Sequence, residues 1–131
     1  MNEDKYFAGQ YREEDIRTAT PLHLIVMLYE GALRSLEEAR DHMKREDIAG
    51  WSQSINRCGA IISELQSALN MKDGGDIASS LNRTYDYMKP ILFRAEAERN
   101  PELLAEVSEI LEKLHSVWRQ TWLTDEEKMK K

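Results

Sequence analysis

Apolar residues recur along this chain in steps of three and four, in four separate blocks. The first carries Leu22, Ile25, Leu28, Tyr29, Ala32, Leu36, Ala39 and Met43. The second carries Ile48, Trp51, Ile55, Cys58, Ile62, Leu65 and Leu69. The third carries Ile77, Leu81, Tyr85, Met88, Leu92 and Ala95. The fourth carries Leu104, Val107, Leu111, Leu114 and Trp118, with Leu103, Ile110, Val117 and Thr121 as a second row. Such steps place residues on one face of an α-helix. The period-two alternation of a half-buried strand does not occur. The pattern predicts helices over 21–45, 47–69, 76–98 and 101–123.

The polar punctuation agrees. Thr20 before Pro21 is an N-cap followed by proline at the first helical position. Asp47 is a cap for the second helix, and Asp73, Gly74 and Gly75 mark the turn that ends it. Asn100 and Pro101 repeat the cap-plus-proline signal. Pro90 falls inside the third block, where it removes a donor and crowds the preceding turn. The apolar phase continues past it through Ile91, Leu92 and Ala95, which favours a kink over a break.

Short connections make neighbouring helices antiparallel. The fold class is therefore all-α: an antiparallel up-down four-helix bundle with an N-terminal arm, one domain over 1–131. Its expected core includes Leu36, Trp51, Ile55, Cys58, Ile62, Leu65, Leu81, Tyr85, Leu114 and Trp118. Leu24, Met27 and Leu33 widen the first helix's apolar surface, so that helix is expected to meet more than one neighbour. Residues 1–17 are charged, yet Tyr6, Phe7, Tyr11 and Ile16 are embedded in them. These aromatics either tack the arm onto the bundle or lie over an apolar groove that a partner also uses. Residues 124–131 read as a solvated tail.

Composition narrows the function classes. A chain of 131 residues can bury a core without disulfides or metals. The single cysteine fits a reducing compartment. No apolar run approaches the roughly 20 residues that span a bilayer, and Met1, Asn2, Glu3 and Asp4 do not open a secretory signal. The expectation is a cytoplasmic protein with no membrane insertion. A net charge of -6 disfavours nucleic acid, which calls for a concentrated basic face.

Catalytic constellations are missing. A di-iron bundle needs two Glu-x-x-His units, and only Glu112 with His115 fits. One cysteine and three scattered histidines make no zinc set. Cys58 lies within the second helix's stripe and reads as a small buried hydrophobe, not a nucleophile. No catalytic residue, metal or cofactor is expected. Two classes remain from the residues alone: a helical module that binds another protein, or a homo-oligomeric structural bundle or generic adaptor.

Four stretches resemble the bacterial flagellin-specific export chaperone family, FliS. They are Thr18-Ala19-Thr20-Pro21 with Leu24-Ile25, Met27-Leu28-Tyr29 and Gly31-Ala32; Ala60-Ile61-Ile62 with Leu65 and Leu69; Gly74-Gly75-Asp76-Ile77-Ala78 with Leu81 and Tyr85-Asp86-Tyr87-Met88; and Glu106-Val107 with Trp118-Arg119-Gln120. Their order and spacing cover more than 100 residues. The resemblance implies a cytoplasmic secretion chaperone without enzymatic activity or cofactor. Such a protein binds the disordered C-terminal segment of flagellin, prevents premature polymerisation and assists delivery to the flagellar export apparatus. An export-gate component or an assembly regulator would be a further partner. The resemblance and helical position together nominate Tyr11, Leu28, Tyr29, Tyr87 and Met88 for client binding or arm docking. Two departures stand out: the leader Arg12-Glu13-Glu14-Asp15 is more charged than is usual in members, and Pro90 interrupts a helix that members continue without proline.

Overall fold

The computed structural model describes residues 19–130. They form α1 (Pro21–Lys44), α2 (Ile48–Ser67), α3 (Gly75–Glu98), one 3₁₀ turn (Pro101–Leu103) and α4 (Leu104–Met129), with no strand among the described residues.

Each helix start shows its local cause. The Thr20 side chain accepts from the His23 N–H at 3.1 Å, and Pro21 gives up a donor that would have had no intrahelical partner. The Asp47 carboxylate accepts from the Gly50 N–H at 3.0 Å and also meets His42 Nδ1 at 3.0 Å. The α1–α2 turn is thereby tied from both sides. Glu46 (φ 59°) and Arg99 (φ 51°) each follow a helix in the left-handed region, which lets the chain reverse.

The helices run up and down in sequence. Trp51, near the start of α2, donates to the Glu96 carbonyl near the end of α3 at 3.3 Å. Arg40, near the end of α1, donates to Ser108 near the start of α4 at 2.8 Å. At the opposite end, His23 stacks on Trp122 with ring centroids 4.0 Å apart. The helix α1 packs broadly on both α2 and α4, whereas α3 rests mainly on α2 and touches α4 sparingly. That explains why α1 buries a wide arc, including Val26, Met27, Leu28, Tyr29, Leu36 and Ala39. The remaining core comes from Trp51, Ile55, Cys58, Ile61, Ile62 and Leu65 on α2, Tyr85, Met88, Leu92 and Ala95 on α3, and Leu104, Val107 and Leu111 on α4. Leu81, Leu114 and Trp118 pack against this core while remaining partly open.

Both ends of α4 differ from the sequence expectation, and Pro90 leaves α3 unbroken. The Asn100-Pro101 signal starts a 3₁₀ turn, and the α-helix begins three residues later at Leu104. Asn100 caps at Glu102 N instead of one position further, which suits the tighter winding. The last helix continues through most of the expected tail to Met129. An i,i+4 hydrogen bond from Trp122 Nε1 to Glu126 (3.2 Å) and Lys128 in the last turn support that extension. The third helix does not break at Pro90. Pro90 and Asp86 are both exposed, so the carbonyl that loses its donor lies on the wet side.

Candidate binding groove

At the end of the bundle where α1 begins, the helices stop covering one another. The turn over 68–74 follows α2 there, and Leu111 is the last buried residue of α4. The result is an open apolar groove of about 340 Å³. Ile25, Leu69, Ile77 and Leu81 form its sides, with Tyr85 and Trp118 deeper. Ile77 is 75% exposed, unusual for an isoleucine at a stripe position. An exposed apolar concavity of this kind is a place where another chain or ligand can bury surface.

Beneath the groove, the Tyr29 and Tyr85 hydroxyls share a 2.5 Å hydrogen bond that ties α1 to α3 across the core. Burial raises the Tyr29 hydroxyl above the ordinary phenol range, and the adjacent Tyr85 raises it further. Burial also raises Tyr85, partly offset by its bond to Tyr29. Both are neutral over the physiological range and act as a polar fastening.

A second, shallower groove of about 540 Å³ follows the thin α3–α4 seam, lined by Ser80, Arg83, Thr84, Tyr87 and Ile110. Tyr87 is half exposed and donates to Glu106 at 2.7 Å. That carboxylate, accepting the bond and carrying charge, holds the Tyr87 hydroxyl above its usual range. Val117 lies exposed further along α4, on the same side as Ile110.

The nominated residues fall in three places. Tyr11 lies outside the described residues. Tyr87 stands in the seam groove. Leu28, Tyr29 and Met88 are in the core, at 6%, 0% and 0% exposure. They lie where α1 is covered by two neighbours and where α3 faces the core. The sequence reading missed Leu69 and Ile77 as surface. Both occupy stripe positions, and only the open bundle end distinguishes them. Cys58 is buried, and burial pushes its thiol up to about 12, which suits an inert core residue. Among the described residues no group of histidine, cysteine and carboxylate side chains is placed to hold a metal ion. No described helix is long and apolar enough to cross a membrane.

The fold and groove define a class: a small antiparallel helical bundle with an open apolar groove at one end. Comparison with known proteins narrows it. The family model described as "Flagellar protein FliS" matches residues 4–124, and the chain belongs to that family. The chain is 37% identical over 106 residues to flagellar secretion chaperone FliSB of Pseudomonas aeruginosa, covering 81% of this chain and 84% of that protein. It is 32% identical over 108 residues to flagellar secretion chaperone FliS of Vibrio cholerae, covering 82% and 79%. It is 30% identical over 117 residues to the protein of the same name in Salmonella typhimurium, covering 88% and 87%.

Proposed function

We propose that this protein is a flagellin-specific secretion chaperone of the cytoplasm. It binds the disordered C-terminal segment of flagellin, prevents premature polymerisation and assists delivery to the export apparatus, where an export-gate component or assembly regulator would be a further partner. The observation that carries this reading is the open apolar groove on a chain that matches the FliS family from residue 4 to residue 124. A disordered client suits such a surface. It can cover separated grooves in one binding event, and its ordering cost is met by the apolar area it buries there.

The test is a mass measurement by light scattering with intact and C-terminally truncated flagellin. A one-to-one complex with intact flagellin alone is the expected result. Equal binding of both forms, or of neither, overturns the reading. Ile77→Glu puts a charge into the groove at an exposed position. It should weaken binding by about tenfold or more while leaving the helical signal intact.

A further inference from the structure

The tyrosine pair beneath the open groove has a proton to spare. Tyr29 and Tyr85 share one hydrogen bond, which uses one of their two hydroxyl protons. The Trp118 indole also meets the Tyr29 oxygen, but an indole N–H only donates and takes up neither proton. Among the described residues no other group accepts from either hydroxyl.

Which tyrosine keeps that proton follows from their places. Tyr29 is 0% exposed and lines neither groove, so a proton left on it would be stranded in the core. Tyr85 is buried too, but it lines the floor of the open groove. Titration points the same way. Burial raises both hydroxyls; beyond burial, Tyr85 raises Tyr29, whereas the bond to Tyr29 lowers Tyr85. A donating hydroxyl is held in its neutral form, and an accepting one is eased toward its anion. Tyr29 therefore donates to Tyr85, and the Tyr85 proton is left for the groove. The other polar side chains there are already engaged. Asn70 is joined to Asp73 by two hydrogen bonds, at 3.3 and 3.1 Å, and Trp118 is turned to Tyr29.

We propose that Tyr85 is a specificity-determining residue of this groove, donating its hydroxyl proton to a neutral oxygen that the occupant sets on the floor. The acceptor is neutral because the lining holds no cation to offset a buried carboxylate. On the chaperone reading above, which this step rests on, the occupant is the client. Its groove-facing segment then carries one amide or hydroxyl side chain among its apolar ones. Such a contact fixes register. Ile25, Leu69, Ile77 and Leu81 hold any apolar segment at several positions along the groove, whereas one donor at the floor is met at a single position.

Acetophenone and ethylbenzene are similar in shape and differ by one carbonyl oxygen, so a first test on the full chain needs no client. The infrared carbonyl stretch of bound acetophenone should stand at the lowered frequency of a hydrogen-bonded ketone in the wild type and at the apolar-solvent frequency in Tyr85→Phe. The affinity for acetophenone relative to ethylbenzene should fall about fivefold or more in Tyr85→Phe. Tyr29→Phe breaks the same shared bond but leaves the Tyr85 donor in place, so it should keep both the lowered frequency and the affinity ratio. A purely structural role would move the two variants alike, and thermal melting of each confirms the fold. An apolar-solvent frequency in the wild type overturns the proposal, as does a ratio that Tyr85→Phe leaves unchanged or that both variants lose equally. The client is tested next, by replacing each Asn, Gln, Ser and Thr of flagellin's C-terminal segment with Ala in turn. One replacement should weaken binding to the wild type about fivefold and binding to Tyr85→Phe hardly at all. Losses that are the same against both proteins at every position overturn the client contact, whereas a segment that binds neither protein overturns the chaperone reading itself.

Discussion

Gly50 shows how much one missing side chain can decide. A Cβ at this position would fall 2.3 Å from His42 Nδ1 and 2.6 Å from Asp47 Oδ2, the two groups that tie the α1–α2 turn. Gly50→Ala should push Asp47 off its cap and cost about 1–2 kcal/mol, read as a lower midpoint in urea unfolding. The Asp47 carboxyl sits below its usual range chiefly because it accepts the Gly50 N–H. Its contribution is present above the ordinary carboxylate range and fades as pH falls through the lowered value, so Gly50→Ala should also flatten the acid side of the stability profile. The tyrosine pair acts at the other extreme. Tyr29 and Tyr85 stay neutral in the fold, while the unfolded chain ionises them near pH 10. The folded state holds more protons there, so stability falls as pH rises past about 10. Unfolding curves from about pH 8 to 11 should show that fall steeply in the wild type and weakly in a Tyr29→Phe, Tyr85→Phe double variant.

Among the elements, α3 is the one held least by its own sequence. It starts without a side-chain cap, contains Pro90 and has a thin seam with α4. Pro90→Ala restores one backbone donor and relieves crowding, offset in part by a freer unfolded chain. The expected net gain is about 1–2 kcal/mol in denaturant unfolding. Client affinity should not change, since Pro90 is 13 positions from Ile77, about 20 Å along the helix. All four helices were legible in the sequence because burial enforces the three-and-four spacing, and caps and prolines locate three of the four starts. The groove was not legible. Ile77 and Leu69 obey the same spacing as Ile55 and Ile62, and periodicity reports which way a residue points, not whether anything arrives to cover it.

At the scale of the molecule, α1 begins beside the groove, because Ile25 on its first turns is one of the groove's sides. Tyr11 lies nine residues before Thr20, and nine extended residues reach up to about 30 Å. If the protein is the chaperone proposed above, a tethered aromatic within that reach would have a high effective concentration at the groove and would compete with a client for it. Tyr11→Ala should therefore raise the apparent affinity for flagellin's C-terminal segment in a fluorescence titration. It should also speed amide exchange over residues 1–17. Unchanged affinity together with unchanged exchange would sink the competition.

The three tryptophans occupy three different optical situations. Trp51 is sealed in the core, Trp122 is stacked on His23, and Trp118 looks into the groove. Anything that fills the groove changes the surroundings of one ring while another supplies a constant background. The molecule thus carries its own emission gauge of occupancy, and whatever enters the groove can be followed without attaching a dye.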